Sequence, residues 1–201
     1  MKVLVVGNGL IGKAIIKKLK HFKHEVIVAS KTTGDIKVDL SDHDSIENMY
    51  QKTSKLDAVI SVPGSCAKMG RPNEFNREEF EKSFQVKGFG QIDLVLSGQK
   101  YLSSNGSFTL TSGILSTHYP PLVSCISTIN NAVEGFVKCA SLELLEHLRL
   151  NVVSPGLIEE AVSKIGDYFK GFQTITLDDA VNAYIRSLEG VINGQVIKVW
   201  P

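Results

Sequence analysis

The chain lacks any hydrophobic run long enough to cross a bilayer; none of its apolar stretches approaches the ~18 residues that a membrane span requires, so no membrane partner is expected. Its opening Met1-Lys2-Val3-Leu4-Val5-Val6 stops at Gly7-Asn8-Gly9, far short of an export segment, and reads as a strand. Cysteine is scarce: Cys66, Cys125 and Cys139 are odd in number and lack Cys-x-x-Cys spacing, which argues against a disulfide framework and a zinc site. No metal is expected, and a reducing cytoplasm is the expected compartment. Net charge is small, +1 from 22 basic and 21 acidic residues, so no nucleic-acid partner is expected and any bound anion must be held by a local site. Repeats, low-complexity tracts and linkers are absent too, and 201 residues with 43% hydrophobic content suit a single domain, 1–201, with a substantial core.

What is present is an alternation of strand and helix signals. Residues 2–6 and 25–29 are short apolar runs without alternation, the pattern of parallel strands buried on both faces. Between them Leu10, Ile11, Ala14, Ile15 and Leu19 recur at helical spacing while lysines take the other positions, which predicts an amphipathic helix over 10–19. Further strands are expected at 36–38, 57–61, 107–111, 151–153 and 195–199. Further helices are expected at 42–53 with Ser41 as N-cap, and at 74–83, 85–97, 124–148 and 178–188. This order implies an α/β fold with a doubly wound parallel sheet of about seven strands and helices on both faces, a Rossmann fold.

Gly7-Asn8-Gly9-Leu10-Ile11-Gly12 is a Gly-x-Gly-x-x-Gly run between a strand and a helix, the context in which that pattern is informative. The first glycine permits the tight turn, the second lets backbone approach a pyrophosphate, and the third lets the helix lie close on the sheet. The helix start offers N–H groups and a positive dipole end to phosphates. A dinucleotide is therefore the expected ligand. Sites that prefer NAD(H) usually carry a carboxylate ~20 residues beyond the first glycine. This chain has Ala29-Ser30-Lys31-Thr32-Thr33 there. Ser30, Lys31 and Thr32 can satisfy a 2′-phosphate that a carboxylate would repel, so NADP(H) is expected over NAD(H).

Four more segments join the glycine turn: Val38-Asp39-Leu40-Ser41-Asp42, Ser61-Val62-Pro63-Gly64, Asn151-Val152-Val153-Ser154-Pro155-Gly156-Leu157-Ile158 and Gly194-Gln195-Val196-Ile197. With them the chain resembles the short-chain dehydrogenase/reductase family over nearly its whole length. The resemblance implies a nicotinamide cofactor, with Asp39 and Leu40 at the adenine and Pro155, Gly156 and Ile158 near the nicotinamide. Asn8, Leu10, Ile11, Val62, Pro63 and Gly64 would lie along the cofactor between them. It also implies hydride transfer to a carbonyl or from an alcohol. The family pairs this with a Tyr-x-x-x-Lys proton donor, a Ser that orients the substrate oxygen and an Asn in a proton path.

The chain departs from that pattern at the chemistry. Aligned on Ala132-Val133-Glu134-Gly135, Ile126 takes the Tyr position and Asn130 the Lys position, while Gln85 stands in for the Asn and Ser112 matches the Ser. Ile126 cannot transfer a proton. Tyr119, in a loop stiffened by Pro120 and Pro121, or a water is the candidate acid. Glu159-Glu160 stand where the family often has a Thr beside the pyrophosphate, and 157–177 is short for a lid, which points to a small substrate.

The expected function is therefore an NADP(H)-dependent oxidoreductase acting on a small carbonyl or alcohol, with Ser112, Gln85 and Tyr119 as catalytic candidates. The alternative is a catalytically inactive NADP(H)-binding sensor or regulatory protein. An isomerase that uses the nucleotide structurally is a third. The resemblance also implies a homo-oligomer, dimer or tetramer, through the 124–148 helix and the one before it. Phe89, Ile92, Val95, Phe136 and Leu142 are consistent with that face, and core packing explains them equally well.

Overall fold

The computed structural model describes residues 1–64 and 69–200; Cys66 lies outside them. In β1 (Lys2–Val6) four successive residues are buried, and they divide between two cores. Leu4 and Val6 join Ile46, Met49, Leu94 and Val137 on one face, whereas Val3 and Val5 join Ile15, Leu19, Val181 and Leu188 on the other. Each fully buried Leu or Ile in these layers contributes about 1.5–3 kcal/mol. An unbroken apolar run is what a strand covered on both faces needs, because alternate side chains meet different layers.

The elements that follow are α1 (Leu10–His21), β2 (Glu25–Ser30), β3 (Ile36–Lys37), α2 (His43–Gln51), β4 (Leu56–Ser61), α3 (Arg77–Phe84), α4 (Gly90–Gly98), β5 (Leu102–Thr111), α5 (Ser124–Ala140), β6 (Arg149–Pro155), β7 (Leu157–Ile158), α6 (Val162–Ile165), β8 (Thr174–Ile175), α7 (Leu177–Glu189) and β9 (Val196–Val199). Seven strands form one sheet in the order β3-β2-β1-β4-β5-β6-β9, all parallel, so the expected doubly wound fold is the fold observed. β7 and β8 form a separate parallel pair that the sequence did not suggest. Val6 is level with Ala29 of β2 and Ser61 of β4, so the chain leaves all three strands at one edge of the sheet. Among the described residues no helix is long and apolar enough to cross a membrane.

Several expected boundaries move, each for a local reason. Asp42, not Ser41, caps α2: its carboxylate accepts the Asp44 N–H at 3.0 Å, while the Ser41 hydroxyl donates to Asp39 at 2.7 Å. Asp42→Ala should therefore lower stability by about 1 kcal/mol in urea denaturation. A loss smaller than that from Ser41→Ala would return the cap to Ser41.

The helix expected at 74–83 begins only at Arg77, because Asn76 and Glu79 form a reciprocal capping box at 2.8 and 3.1 Å and Pro72–Glu74 makes a separate short turn. The next expected helix, 85–97, opens with a wide π turn over Gln85–Phe89, which leaves Lys87 and Gly88 buried and Gln85 and Phe89 exposed. The helix expected over 124–148 ends at Ala140. There Asn193 donates to the Ser141 carbonyl at 3.0 Å, and the chain must turn to enter β6 at Arg149. The apolar residues that extended the pattern are outside the core: Leu142 and Leu145 are 85% and 66% exposed. Strand β5 starts five residues earlier than expected, at Leu102, beside Leu56 of β4.

Candidate functional site

The strand order reverses between β1 and β4, and a doubly wound sheet opens a crevice at the carboxyl ends of such strands. Gly7 stands at the end of β1 with φ +116°, and a Cβ there would lie 2.1 Å from the Val62 carbonyl oxygen. Gly12 is held as closely, 2.2 Å from the Gly7 carbonyl. Gly9 differs: a Cβ on it meets nothing within 4 Å among the described residues. It is the N-cap of α1, makes no side-chain cap and has no acidic residue in the turn that follows. Among the described residues the first N–H groups of α1 thus have no side-chain acceptor, and the positive end of the helix dipole lies behind them.

A groove of about 330 Å³ runs across the strand ends from this turn. Gly7, Asn8 and Gly9 line one part, Ser30, Lys31 and Thr32 with Asp39 and Leu40 another, and Pro63 and Gly64 a third. Val86, from the π turn, lines it as well, which the sequence did not signal because it depends on how that turn is seated. Other expected cofactor residues stand behind the groove. Val62 is buried, with its N–H on the Val6 carbonyl at 2.7 Å. Leu10 is 46% exposed, and Ile11 packs on the cluster formed by Ile158, Ile175 and Ala180. Pro155 pairs with Val199 of β9, and Gly156 donates to the Val199 carbonyl at 3.1 Å.

At the far end of the groove the loop after β2 is tied to itself. Asn8 donates to the Thr33 hydroxyl at 3.1 Å, the Thr33 N–H donates to Ser30 Oγ at 3.1 Å, and Ser30 Oγ donates to the Thr33 carbonyl. Lys31 Nζ meets Asp39 Oδ2 at 2.6 Å. Asp39 Oδ1 accepts from the Ser41 N–H at 3.1 Å and the Ser41 hydroxyl at 2.7 Å. The Lys31 ammonium first, and the Ser41 donors next, hold the Asp39 carboxyl down to about 2.

The candidate catalytic residues are dispersed. Ser112 follows β5, only 2% exposed, and its hydroxyl donates to Glu134 Oε1 at 2.7 Å. Lys87 Nζ donates to the Ser112 carbonyl at 3.1 Å. Asn130 donates to the neighbouring Gly113 carbonyl at 3.3 Å, while its buried Oδ1 has no hydrogen-bond partner among the described residues. Ile126 packs against the apolar cluster of Leu115, Leu157 and Phe169. Gln85 is exposed.

Tyr119 is 67% exposed, donates its hydroxyl to the Ser116 carbonyl at 2.7 Å, and lines a second groove of about 670 Å³ with His118, Tyr168 and Phe172. Ser112 does not line that groove. The structure thus brings Ser112 and Asn130 together around Gly113, while Gln85 is exposed and Tyr119 lines a groove that Ser112 does not. Sequence reasoning missed Glu134 and Lys87 as members of this buried polar group. Glu134 lies four residues after Asn130, hence on the same helix face, and that spacing was the available signal. The burial of Lys87 follows from the π turn and has no sequence mark.

A parallel doubly wound sheet with a glycine turn at its reversal point and a groove over the strand ends defines a Rossmann-type α/β protein. More narrowly, the chain belongs to the short-chain dehydrogenase/reductase family: a family model described as Enoyl-(Acyl carrier protein) reductase matches residues 9–187. Among solved structures, the protein lin1944 from Listeria innocua is 35% identical, with 100% of each chain covered and a TM-score of 0.96. A small-chain dehydrogenase in complex with NADPH is 28% identical, with 98% of this chain and 95% of that one covered and a TM-score of 0.87. Aldohexose dehydrogenase from Thermoplasma acidophilum shares the fold at 19% identity, with 98% of this chain and 91% of that one covered and a TM-score of 0.84. No curated protein gives a significant match.

Proposed function

We propose that this protein binds NADP(H) in the groove at the β1 and β4 ends and works as an oxidoreductase on a small carbonyl or alcohol. The observation that carries the reading is Gly9, whose open face adjoins uncapped helix N–H groups at the reversal point of the sheet. The NADPH complex of the 28% identical dehydrogenase supports it. In this reading Gly7, Asn8, Gly9, Leu10, Ile11 and Gly12 hold the pyrophosphate. Ser30, Lys31 and Thr32 receive the 2′-phosphate, and Asp39 and Leu40 flank the adenine. Val62, Pro63 and Gly64 lie along the ribose side, with Pro155, Gly156 and Ile158 behind the nicotinamide. Asn130 Oδ1, buried and without a partner among the described residues, would be the acceptor for a ribose hydroxyl, the group that a Lys holds at this position elsewhere in the family.

When bound, the nicotinamide would supply or accept the hydride. The chain's own part is to orient the substrate oxygen and move a proton. Ser112 orients, its hydroxyl fixed by Glu134. A water, or Tyr119 after release from the Ser116 carbonyl, donates, with Gln85 holding solvent. Without a tyrosine at residue 126 the rate should fall about 10²–10⁴-fold below that of a member with an intact proton donor. The packing of the partly buried Ile126 on an apolar cluster and the commitment of the Ser112 hydroxyl favour the second reading, an inactive NADP(H) sensor. A homo-oligomer formed through α4 and α5 would cover Phe89 and Leu96, which are 54% and 61% exposed. Cys139, a free and exposed thiol, is compatible with a reducing cytoplasm.

The test is a titration with NADPH and NADH, followed on the same sample by NADPH oxidation with aldehydes, ketones and quinones and by light scattering for subunit count. NADPH binding tighter than NADH binding, with turnover above background, is expected. Binding without turnover would move the assignment to the sensor, and no binding of either nucleotide would overturn both readings.

A further inference from the structure

We propose that Asp39 is a specificity-determining residue: its carboxylate competes with the cofactor's 2′-phosphate for Lys31 and so restrains the preference of this chain for NADP(H) over NAD(H). This rests on the NADP(H) reading above. The sequence alone suggested that Lys31 awaits a phosphate and that Asp39 serves the adenine. In the folded chain the two residues meet, 2.6 Å apart, on the wall of one groove.

The pair is asymmetric. Asp39 is fixed from three directions, by the Ser41 N–H and hydroxyl on Oδ1 and by the Ser45 hydroxyl, which accepts its backbone N–H at 2.9 Å. The Lys31 side chain is 73% exposed, against 33% for that of Asp39. The long, solvated lysine has therefore come to the anchored carboxylate, and not the reverse. Of the neutral donors nearby, Ser30 and Thr33 are bonded to each other, with Asn8 added to Thr33, and Thr32 offers a hydroxyl without charge. Lys31 is left as the charged donor of this loop, and an arriving 2′-phosphate must draw it away while approaching a fixed negative charge. Such like-charge placement lowers affinity for the wrong partner without any clash. Lys31 and then the Ser41 donors hold the Asp39 carboxyl below its ordinary value, and an aspartate even at that ordinary value is ionised at neutral pH, so the competition is present in a binding assay at neutral pH. NAD(H), with a neutral 2′-hydroxyl, does not feel it.

The experiment measures dissociation constants for NADPH and NADH by fluorescence titration of the wild type, Asp39→Asn, Lys31→Ala and the double variant. Asparagine keeps an oxygen for Ser41, and the ratio of two affinities in one variant is insensitive to the fraction of folded protein. Asp39→Asn is expected to raise the preference for NADPH over NADH roughly three- to tenfold, a range set by the modest strength of exposed charge pairs. Lys31→Ala is expected to lower the preference, and in that background Asp39→Asn is expected to gain less. An unchanged or reduced preference in Asp39→Asn would overturn the proposal while leaving the cofactor reading intact. A wild type that does not bind NADPH would remove the cofactor reading and the proposal with it.

Discussion

Gly9→Val is expected to weaken NADPH binding by at least about 100-fold while the melting temperature stays within a few degrees of the wild type. The two halves of this result come from one geometric fact. A Cβ on Gly9 touches nothing within 4 Å among the described residues, which leave room for the side chain. The backbone there is extended, φ −81° and ψ −162°, a region open to any residue. Glycine's advantage over valine as an N-cap is of the order of 1 kcal/mol, which bounds the loss of stability. The added isopropyl group would instead fill the space that a pyrophosphate needs in order to reach the N–H groups of α1. Fluorescence titration and circular dichroism melts read the two quantities separately. Unchanged affinity in a folded variant would mean that the phosphates do not use this turn.

Gly7→Ala is expected to fail in the opposite way. Two residues earlier in the same motif, the new methyl group would sit 2.1 Å from the Val62 carbonyl oxygen, at a φ of +116° that alanine rarely adopts. Neither β1 nor β4 can retreat, because Val62 donates to Val6 and Gly7 donates to Ala29, at 2.7 and 2.8 Å. Overpacking and backbone strain together should cost about 2–4 kcal/mol, measured as a lower urea midpoint with an unchanged slope. A midpoint equal to that of the wild type would show that the two strand ends are not in such close contact. The two glycines would thereby be separated by measurement, one serving the ligand and the other the fold.

The same contrast marks what could be read in advance. Buried parallel strands announce themselves, since a strand covered on both faces must be apolar throughout, and the runs at Val3 to Val6 and Val26 to Ala29 have no other simple use. The family was legible for a similar reason: the glycine turn, Val38-Asp39-Leu40 and Ser154-Pro155-Gly156 are local segments whose chemistry is visible in order. Helix ends were less legible. The 124–148 pattern continued in register past Ala140, but the turn at Ser141 depends on Asn193, which is remote in sequence.

By itself, then, the sequence determined the doubly wound α/β fold and the family, because both depend on residue type at short spacing. Only the tertiary structure decided that Lys31 faces Asp39 and that Ser112 gives its hydroxyl to Glu134. It also decided that Lys87 is buried and that Tyr119 lines a different groove from the glycine turn. Those pairings join elements 8 to 25 residues apart, across strand ends and a π turn, where a shift of one residue changes every partner. No local propensity sets such a distance: the pairing of β2 with β3 brings Lys31 to Asp39, and the packing of the π turn and α5 at the end of β5 brings Lys87 and Glu134 to Ser112.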